Sequence, residues 1–350
     1  MRICFFLGAG ASAEFGYPVT KQILPLIRSR LRNGTLFSFR QDGQEFGNEL
    51  EQFLTKLFPG FVDADDNDLP TIVDLLSLFD HSLRYSTAPV RLTPVSQLAD
   101  LRTLLEVGIC EVIRPKSTKS NPAALNFWTW LKSKNDRQQD SVALISTNYD
   151  TSIEQLLSQD LGFDRIAREV DFGVSWRDPD RAHPYERPVT PWLRFYKLHG
   201  SLNWLRCDMC EHMYMNYKWN IYDRVLDNRI MGKNSCHCGH GKLSLMLATP
   251  SYVRDVREPN LLSLWQNALE LLRTSNEWVF VGYSLPGDDI NIRSMLMRAA
   301  QGRHDPPGVT VVLPPHCRNV YARYRLLFPT HVPYPHGFKE YIGHLSRSNL

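Results

Sequence analysis

The sequence predicts an α/β protein whose core is a doubly wound, mostly parallel sheet. Five apolar runs have the length of buried strands, and small or polar residues end each one. The runs lie at 2–7, 141–145, 193–198, 277–281 and 309–313. Parallel strands that are buried on both faces read as unbroken apolar runs, and helices between them supply the crossovers. The alternation of runs and helical patterns therefore indicates this class.

The helical patterns follow in chain order at 22–32, 70–84, 95–113, 121–132 and 259–273. Asn121 followed by Pro122 is typical of a helix start, with asparagine as the N-cap and proline at the first helical position. The segment 259–273 also starts with proline and places apolar residues at helical spacing.

Two stretches interrupt the alternation and predict a division of the chain. Residues 34–120 contain helical patterns without a convincing strand, so we expect a helical insertion. Residues 203–247 contain clustered cysteines, so we expect a small zinc-binding insertion. The nucleotide-binding domain would then consist of residues 1–33, 121–202 and 248–350.

Composition argues for an ordinary globular protein. The chain has 350 residues, is 43% hydrophobic, and carries a net charge of +3 from 40 basic and 37 acidic residues. So small a net charge gives no overall field that would recruit nucleic acid or an anionic membrane. The apolar run at the start is too short for a secretory signal or a membrane span. We expect a cytoplasmic protein.

A glycine-rich segment directly follows the first predicted strand and precedes a helical stretch. It reads Gly8-Ala9-Gly10-Ala11-Ser12-Ala13. In a Rossmann-like sheet such a turn lets backbone N–H groups approach a pyrophosphate at a helix N-terminus. The alternative is a tight strand-to-helix turn without a ligand.

The dinucleotide would not be held as hydride-transfer enzymes hold it. Those enzymes have a second strand that ends in Asp or Glu about 20 residues further on, where the carboxylate binds the ribose. Here a helical pattern at 22–32 and then Asn33-Gly34 follow instead. The sequence therefore argues against a dehydrogenase.

Polar residues follow three further predicted strands. The segments are Ser146-Thr147-Asn148-Tyr149-Asp150, His199-Gly200-Ser201 and Gly282-Tyr283-Ser284. Ligands of open α/β sheets bind at the carboxyl ends of the strands, so we expect these side chains to share one site. Taken singly, Asn148 and Asp150 can be helix caps, and His199 can be a hydrogen-bonded core histidine.

These segments resemble the sirtuin-like family. GAGAS with Gly16 and Pro18 behind it, TNYD, KLHGS and VGYSLP occur in the family's order, over residues 3–297. The resemblance assigns residues to the phosphate-binding loop, to catalysis and to a second nucleotide-binding turn. In that order they are Gly8, Ala9, Gly10 and Ser12; Asn148, Asp150 and the catalytic His199; and Gly282 and Ser284. Thr147, Gly200 and Ser201 are expected to bind cofactor beside them.

The resemblance implies cleavage of the nicotinamide–ribose bond of NAD. Asn148 would orient a water or the ribose hydroxyls, Asp150 would accept from the nicotinamide amide, and His199 would act as general base. Deacylating sirtuins carry Asp-Phe-Arg after the glycine–proline turn of the first loop, whereas this chain has Gly16-Tyr17-Pro18-Val19-Thr20. Bacterial sirtuin-like proteins are more similar here, which implies hydrolysis of NAD to nicotinamide and ADP-ribose in anti-phage defence.

Two alternatives remain open. One is a protein deacylase or ADP-ribosyltransferase, and the other is a non-catalytic scaffold that binds NAD or ADP-ribose. An unregulated NAD hydrolase would be toxic to its cell, so we expect a gate. The resemblance implies homo-oligomers or a partner ATPase or another activating protein. From composition we expect no membrane association and no direct nucleic-acid contact.

Four of the seven cysteines form two close pairs, Cys207 with Cys210 and Cys236 with Cys238. Four thiolates can close a tetrahedral zinc site without an open position, which makes it a structural site. The second pair has one intervening residue where the family has two, so His237 or His240 is an alternative ligand. A redox role for Cys207 and Cys210, or an incomplete or lost metal site, is the alternative.

Overall fold

The structure is a computed structural model. It describes residues 1–90, 93–113, 121–137, 141–179, 183–216, 221–229, 236–247, 258–287, 289–301 and 303–347. The strands are β1 (Arg2–Leu7), β2 (Ser141–Ser146), β3 (Val170–Asp171), β4 (Trp176–Arg177), β5 (Pro184–Tyr185), β6 (Leu193–Lys197), β7 (Gly200–Cys207), β8 (Met213–Met215), β9 (Leu243–Leu247), β10 (Glu277–Val281), β11 (Gly308–Val312) and β12 (Val332–Tyr334).

Twelve α-helices accompany these strands in the described part of the chain. They are α1 (Ala9–Glu14), α2 (Thr20–Arg32), α3 (Gly43–Leu57), α4 (Ile72–Tyr85), α5 (Val95–Ile113), α6 (Pro122–Asp136), α7 (Ser152–Asp160), α8 (Gly162–Glu169), α9 (Pro259–Thr274), α10 (Ile290–Ala300), α11 (Arg318–Leu327) and α12 (Gly337–Arg347). None of them is long and apolar enough to cross a membrane.

Seven strands form one sheet in the order β12-β11-β10-β1-β2-β6-β3, and all of its pairs are parallel. This confirms the predicted α/β class with a doubly wound parallel sheet. The five predicted strands are β1, β2, β6, β10 and β11. Most of their residues are buried, as continuous apolar runs require, although Thr310 at the centre of β11 is half-buried.

The predicted helices are α2, α4, α5, α6 and α9. Asn121 caps α6 as expected, because its side-chain oxygen accepts a hydrogen bond from the N–H of Ala124 at 3.1 Å. The sequence analysis did not single out α3, whose buried residues alternate with exposed ones at helical spacing. Helices α2, α3, α4 and α5 pack against one another beside the sheet.

A second sheet has the order β5-β4-β8-β7-β9. Its longest strand, β7, spans Gly200–Cys207, with a register irregularity against β9 between Gly200 and Leu205, and it links the end of β6 to the first cysteine pair. The helical stretch at 34–120 and the cysteine-bearing stretch at 203–247 remain our proposed division of the chain. Residues 120 and 248, which mark two of its boundaries, lie outside the described residues.

The order of the large sheet fixes where a ligand would bind. After β1 the chain adds β2 and β6 on one side and later adds β10, β11 and β12 on the other. The strand order therefore reverses between β1 and β10. Ligands of open α/β sheets bind in the crevice at such a switch point, beyond the carboxyl ends of the strands.

Candidate active site

A cavity of about 340 Å³ lies at this switch point, within the usual size range of small-molecule sites. Loops after β1, β2, β6 and β10 line it, and the helices α2, α4 and α5 each contribute an apolar residue. The lining residues are Ala9, Ser12, Tyr17, Pro18, Thr20, Ile23, Val73, Ile113, Thr147, Asn148, Tyr149, Asp150, His199, Gly282, Tyr283, Ser284, Pro286 and Asp289.

The loops after β1 and β10 touch through their backbones. The N–H of Gly8 donates to the carbonyl of Val281, and the N–H of Gly10 donates to that of Gly282, each at 2.9 Å. A Cβ on Gly8 would lie 2.5 Å from Tyr283 Cα, and one on Gly10 would lie 2.7 Å from Gly282 Cα. We call this backbone contact the glycine contact. It uses these two N–H groups for protein hydrogen bonds, whereas the sequence suggested phosphate as their partner.

The segment after β2 is tied to the first loop by side chains. The amide nitrogen of Asn148 donates to the Gly8 carbonyl at 2.9 Å. The Ser12 hydroxyl donates to Asp150 Oδ2 at 2.5 Å, and the Ser152 N–H donates to Asp150 Oδ1 at 3.0 Å. Asp150 therefore makes the hydrogen bond to the start of α7 that is expected of a helix cap. Through Ser12 it also holds the first loop.

His199 lies in the turn between β6 and β7, because β6 ends at Lys197 and β7 begins at Gly200. It is only 6% exposed and lines the cavity. Its Nδ1 atom is 3.2 Å from the carbonyl oxygen of Thr147. The rings of Tyr149 and Trp265 lie on it at centroid distances of 6.3 and 6.4 Å.

A buried ion pair joins the turns that follow β2 and β6. The Lys197 ammonium lies 2.9 Å from Glu154 Oε1, and the two side chains are 1% and 0% exposed. The same ammonium donates to the Asp150 carbonyl and to the Ser201 hydroxyl, each at 2.5 Å. Burial raises the pKa of Glu154, and the Lys197 charge opposes that rise. We call this group of interactions the polar contact.

The structure thus brings most of the predicted site residues to one cavity, and it places four of them behind its wall. Ala9, Ser12, Thr147, Asn148, Asp150, His199, Gly282 and Ser284 line the cavity. Gly8 and Gly10 belong to the glycine contact, and Ser201 belongs to the polar contact. Gly200 sits where a Cβ would lie 1.8 Å from the Met246 carbonyl oxygen.

Several lining residues were not found by the sequence analysis. Val73 and Ile113 come from the helical stretch, whose approach to the sheet edge no local pattern indicates. Asp289 directly precedes α10 and belongs to the same strand-end loop as Ser284. Continuing the strand-end search to the start of the next helix would have identified it.

The four clustered cysteines meet in a metal-binding arrangement. The Sγ atoms of Cys207, Cys210, Cys236 and Cys238 all lie within 4.8 Å of one another. Tetrahedral zinc–sulfur bonds of about 2.3 Å would put sulfur atoms roughly 3.8 Å apart. The Cys207 and Cys238 sulfurs are separated by 3.8 Å, so the set fits a tetrahedral ion. All four are free thiols rather than disulfides.

Neighbouring groups shift the pKa values of these thiols in opposite directions, and burial raises that of Cys210 to about 12. The N–H groups of Met209 and Cys210 both point at Cys207 Sγ from 3.4 Å. Backbone N–H donors, first that of His240, lower the pKa of Cys238 to about 6, whereas burial raises that of Cys207. A bound metal would keep every ligating thiol deprotonated. His237, the alternative ligand, instead places Nδ1 3.0 Å from the Tyr214 hydroxyl.

Comparison with known proteins places the chain in a family. The family model of the SIR2-like domain matches residues 142–326, which is more than half of the chain. The chain therefore belongs to the SIR2-like family. The matched region contains the TNYD, KLHGS and VGYSLP segments and the cysteine pairs, whereas the glycine-rich loop after β1 precedes it.

Solved Sir2 structures align over nearly the whole chain at low identity. One described as the structural basis for the mechanism and regulation of Sir2 enzymes has 14% identity and a TM-score of 0.45, and covers 99% of this chain and 91% of that one. A Sir2 complex with a p53 peptide and NAD+ has 12% identity and a TM-score of 0.42, over 100% and 93% of the two chains. No curated protein sequence matches the chain.

Proposed function

We propose that this protein is an NAD glycohydrolase that cleaves the nicotinamide–ribose bond to give nicotinamide and ADP-ribose. The observation that carries the proposal is the meeting of Asn148, Asp150 and His199 with the first loop in one cavity at the switch point. A chain of the SIR2-like family with these groups at the strand ends has the parts that such a reaction needs.

His199 and Asn148 each have a specific task in the proposed reaction, while Asp150 holds the first loop through Ser12. A carbonyl oxygen only accepts hydrogen bonds, so the contact with Thr147 places a proton on Nδ1 of His199 and makes Nε2 the basic nitrogen. His199 then takes a proton from the attacking water. Asn148, fixed by its bond to the Gly8 carbonyl, orients the water or the ribose hydroxyls. Positioning supplies much of the acceleration, because the leaving nicotinamide needs no strong nucleophile.

Hydrolysis is favoured over acyl transfer by the segment after the first loop. After the glycine–proline turn, where deacylating sirtuins carry Asp-Phe-Arg, this chain has Val19 and Thr20, and Thr20 lines the cavity. Deacylation or ADP-ribosyl transfer is the alternative, and stimulation of nicotinamide release by an acyl-lysine peptide or a protein acceptor would identify it. Binding of NAD without turnover would identify a scaffold instead.

The proposal includes a gate, because free NAD hydrolysis would deplete its cell. We propose a cytoplasmic, homo-oligomeric effector of anti-phage defence that a partner ATPase or another protein activates. Large apolar side chains stay exposed on the helical stretch, including Leu78 at 39% and Tyr85 at 59% on α4. Seven positions apart, they share one face of that helix and support a subunit interface there.

The main test measures nicotinamide release and thermal unfolding on the same variants. We expect His199→Ala and Asn148→Ala each to lower turnover at least about a hundredfold, the scale of losing a general base or a positioning group. Folding should survive, since truncation at a cleft leaves space that water can fill. His304→Ala is the matched control, because its side chain is 99% exposed.

Purely structural roles predict the reverse pattern. An alanine in place of a packed histidine would lower the melting temperature, and turnover would fall only with the folded fraction. Folded variants with parental turnover, assayed in the assembly state that makes the parent active, would contradict the proposed catalytic roles.

We also propose that the cysteine cluster holds one structural zinc ion. Elemental analysis of protein purified without chelator should find close to one zinc per protomer. Cys207→Ser should lower the melting temperature more than it lowers turnover of the remaining folded protein, because a closed site does not touch substrate. Four freely titratable thiols and no zinc would contradict the assignment.

A further inference from the structure

A second carboxylate faces the histidine of the cavity. The Nε2 atom of His199 lies 3.7 Å from Oδ1 of Asp289, and the two side chains are 7% and 8% exposed. Solvent screens the interaction between two such buried groups only weakly. The charge of Asp289 therefore influences the protonation of His199.

The orientation of the imidazole decides which nitrogen Asp289 acts on. Because Nδ1 donates to the Thr147 carbonyl, the proton that His199 gains or loses is the one on Nε2. This is the nitrogen that faces the carboxylate. A negative charge at that position stabilises the imidazolium more than the neutral imidazole.

Asp289 is itself held in place. The Tyr283 hydroxyl donates to Asp289 Oδ2 at 2.9 Å, which directs the other oxygen toward His199. The backbone oxygen of Asp289 accepts from the N–H of Arg293 at 3.1 Å, as the first hydrogen bond of α10. The carboxylate is thus fixed between a strand-end loop and a helix start.

Apart from His199 and Asp289, the described residues that line the cavity include four with ionisable side chains. They are Tyr17, Tyr149, Asp150 and Tyr283. Asp150 is bonded to Ser12 and Ser152, and Tyr283 is bonded to Asp289 itself. Behind the wall, Lys197 and Glu154 neutralise each other.

We propose that Asp289 is the positioning residue of His199, which fixes its ring and stabilises its protonated form. The reaction step rests on the proposed function. Nε2 takes a proton from water, the water oxygen forms the bond to the ribose C1′, and nicotinamide leaves with the electron pair of the broken bond. The imidazolium formed in that step faces the Asp289 carboxylate and later returns the proton to solvent.

Asp289→Asn tests the pair with almost no change of shape, and asparagine is equally suited to a helix start. We expect turnover at neutral pH to fall at least about tenfold. The acidic limb of the kcat/KM profile should move to lower pH, because loss of the carboxylate lowers the pKa of His199. Asp289→Glu should recover part of the activity, and the melting temperature should stay near the parental value.

The exposed pair His304 and Asp305 supplies the matched control. Its atoms lie 3.2 Å apart, and its side chains are 99% and 92% exposed. Asp305→Asn should leave turnover and its pH profile unchanged. Asp289→Ser provides a second uncharged variant should Asp289→Asn fold poorly.

A titration without NAD separates this inference from the proposed function. The His199 ring resonance, assigned by its loss in His199→Gln, is followed by NMR against pH in the parent and in Asp289→Asn. A lower His199 pKa in the variant supports the pair whether or not the parent turns over NAD. An equal or higher pKa overturns it. Absence of nicotinamide release from the parent in every assembly state overturns the proposed function alone.

Discussion

The two sides of the cavity are held together by different interactions. At the glycine contact the loops after β1 and β10 approach through backbone atoms, and no side chain would fit between them. At the polar contact the turns after β2 and β6 are joined by a buried ammonium, a carboxylate and a hydroxyl. The glycine contact requires residues without a Cβ, whereas the polar contact depends on the pairing of charges.

The difference predicts how each side fails when it is changed. A backbone contact is lost when any Cβ is added, but it contains no charge and does not respond to pH. A buried ion pair tolerates little change in charge, because a single remaining ion is left without compensation. The contribution of the polar contact to stability therefore varies with protonation, whereas that of the glycine contact does not. The pH dependence of unfolding distinguishes the two contacts.

Lys197→Met should produce the largest loss of stability. It leaves the Glu154 carboxylate buried without its partner, at a cost of about 3–5 kcal/mol. Denaturant unfolding of the parent and the variant measures the change. Glu154→Gln added to Lys197→Met should recover part of it by removing the remaining charge, and equal stability of the single and double variants would contradict the pairing.

The same variant should be sensitive to pH. Burial already raises the pKa of Glu154 above its ordinary 4.5, and loss of Lys197 removes the influence that lowers it. A carboxyl with a raised pKa in the folded state is most favourable below its unfolded pKa, and stability falls as pH rises through the folded value. Lys197→Met should therefore be destabilised less at pH 5 than at pH 8. Lys132→Met, at an ion pair whose side chains are 38% and 28% exposed, is the control with a small effect.

Sequence patterns located the sheet accurately where one physical rule dominated. The strands Arg2–Leu7 and Glu277–Val281 and the helix Val95–Ile113 have the predicted bounds. An unbroken apolar run of this length indicates a strand that is buried on both faces. The two-residue strands Val170–Asp171, Trp176–Arg177 and Pro184–Tyr185 were not predicted, because so short a segment has no periodicity and forms only through its neighbours.

For the cavity, the sequence indicated which loops meet but not which atoms face inward. Gly8 and Gly10 stand within two residues of Ala9 and Ser12, respectively, yet the first two pack against Gly282 and Tyr283 and the latter two line the cavity. Likewise, Ser201 lies two residues after His199 and points to Lys197. The direction of a side chain in a turn depends on tertiary contacts that a motif does not contain.

Gly282→Ala should break the glycine contact with a smaller loss of stability than Lys197→Met. Gly282 has φ +61°, and a Cβ there would lie 2.3 Å from the Ala11 nitrogen. Left-handed backbone strain on a residue with a side chain costs about 1–3 kcal/mol. Because the clashing atoms are backbone, relief requires the two loops to separate, which would displace Ser12 and Ser284 in the cavity. Turnover should thus fall further than the folded fraction does.

Gly60→Ala is the matched control for this change, since nothing lies within 4 Å of a Cβ at that position. Unfolding at pH 5 and pH 8 should give the same loss for Gly282→Ala, because the glycine contact contains no titrating group. A loss that follows pH as in Lys197→Met would show that the two sides of the cavity unfold together, and the distinction between them would have to be abandoned. A Gly282→Ala protein with parental nicotinamide release and parental stability would show that the loops after β1 and β10 can separate without consequence, which the interlocked hydrogen bonds of Gly8 and Gly10 argue against.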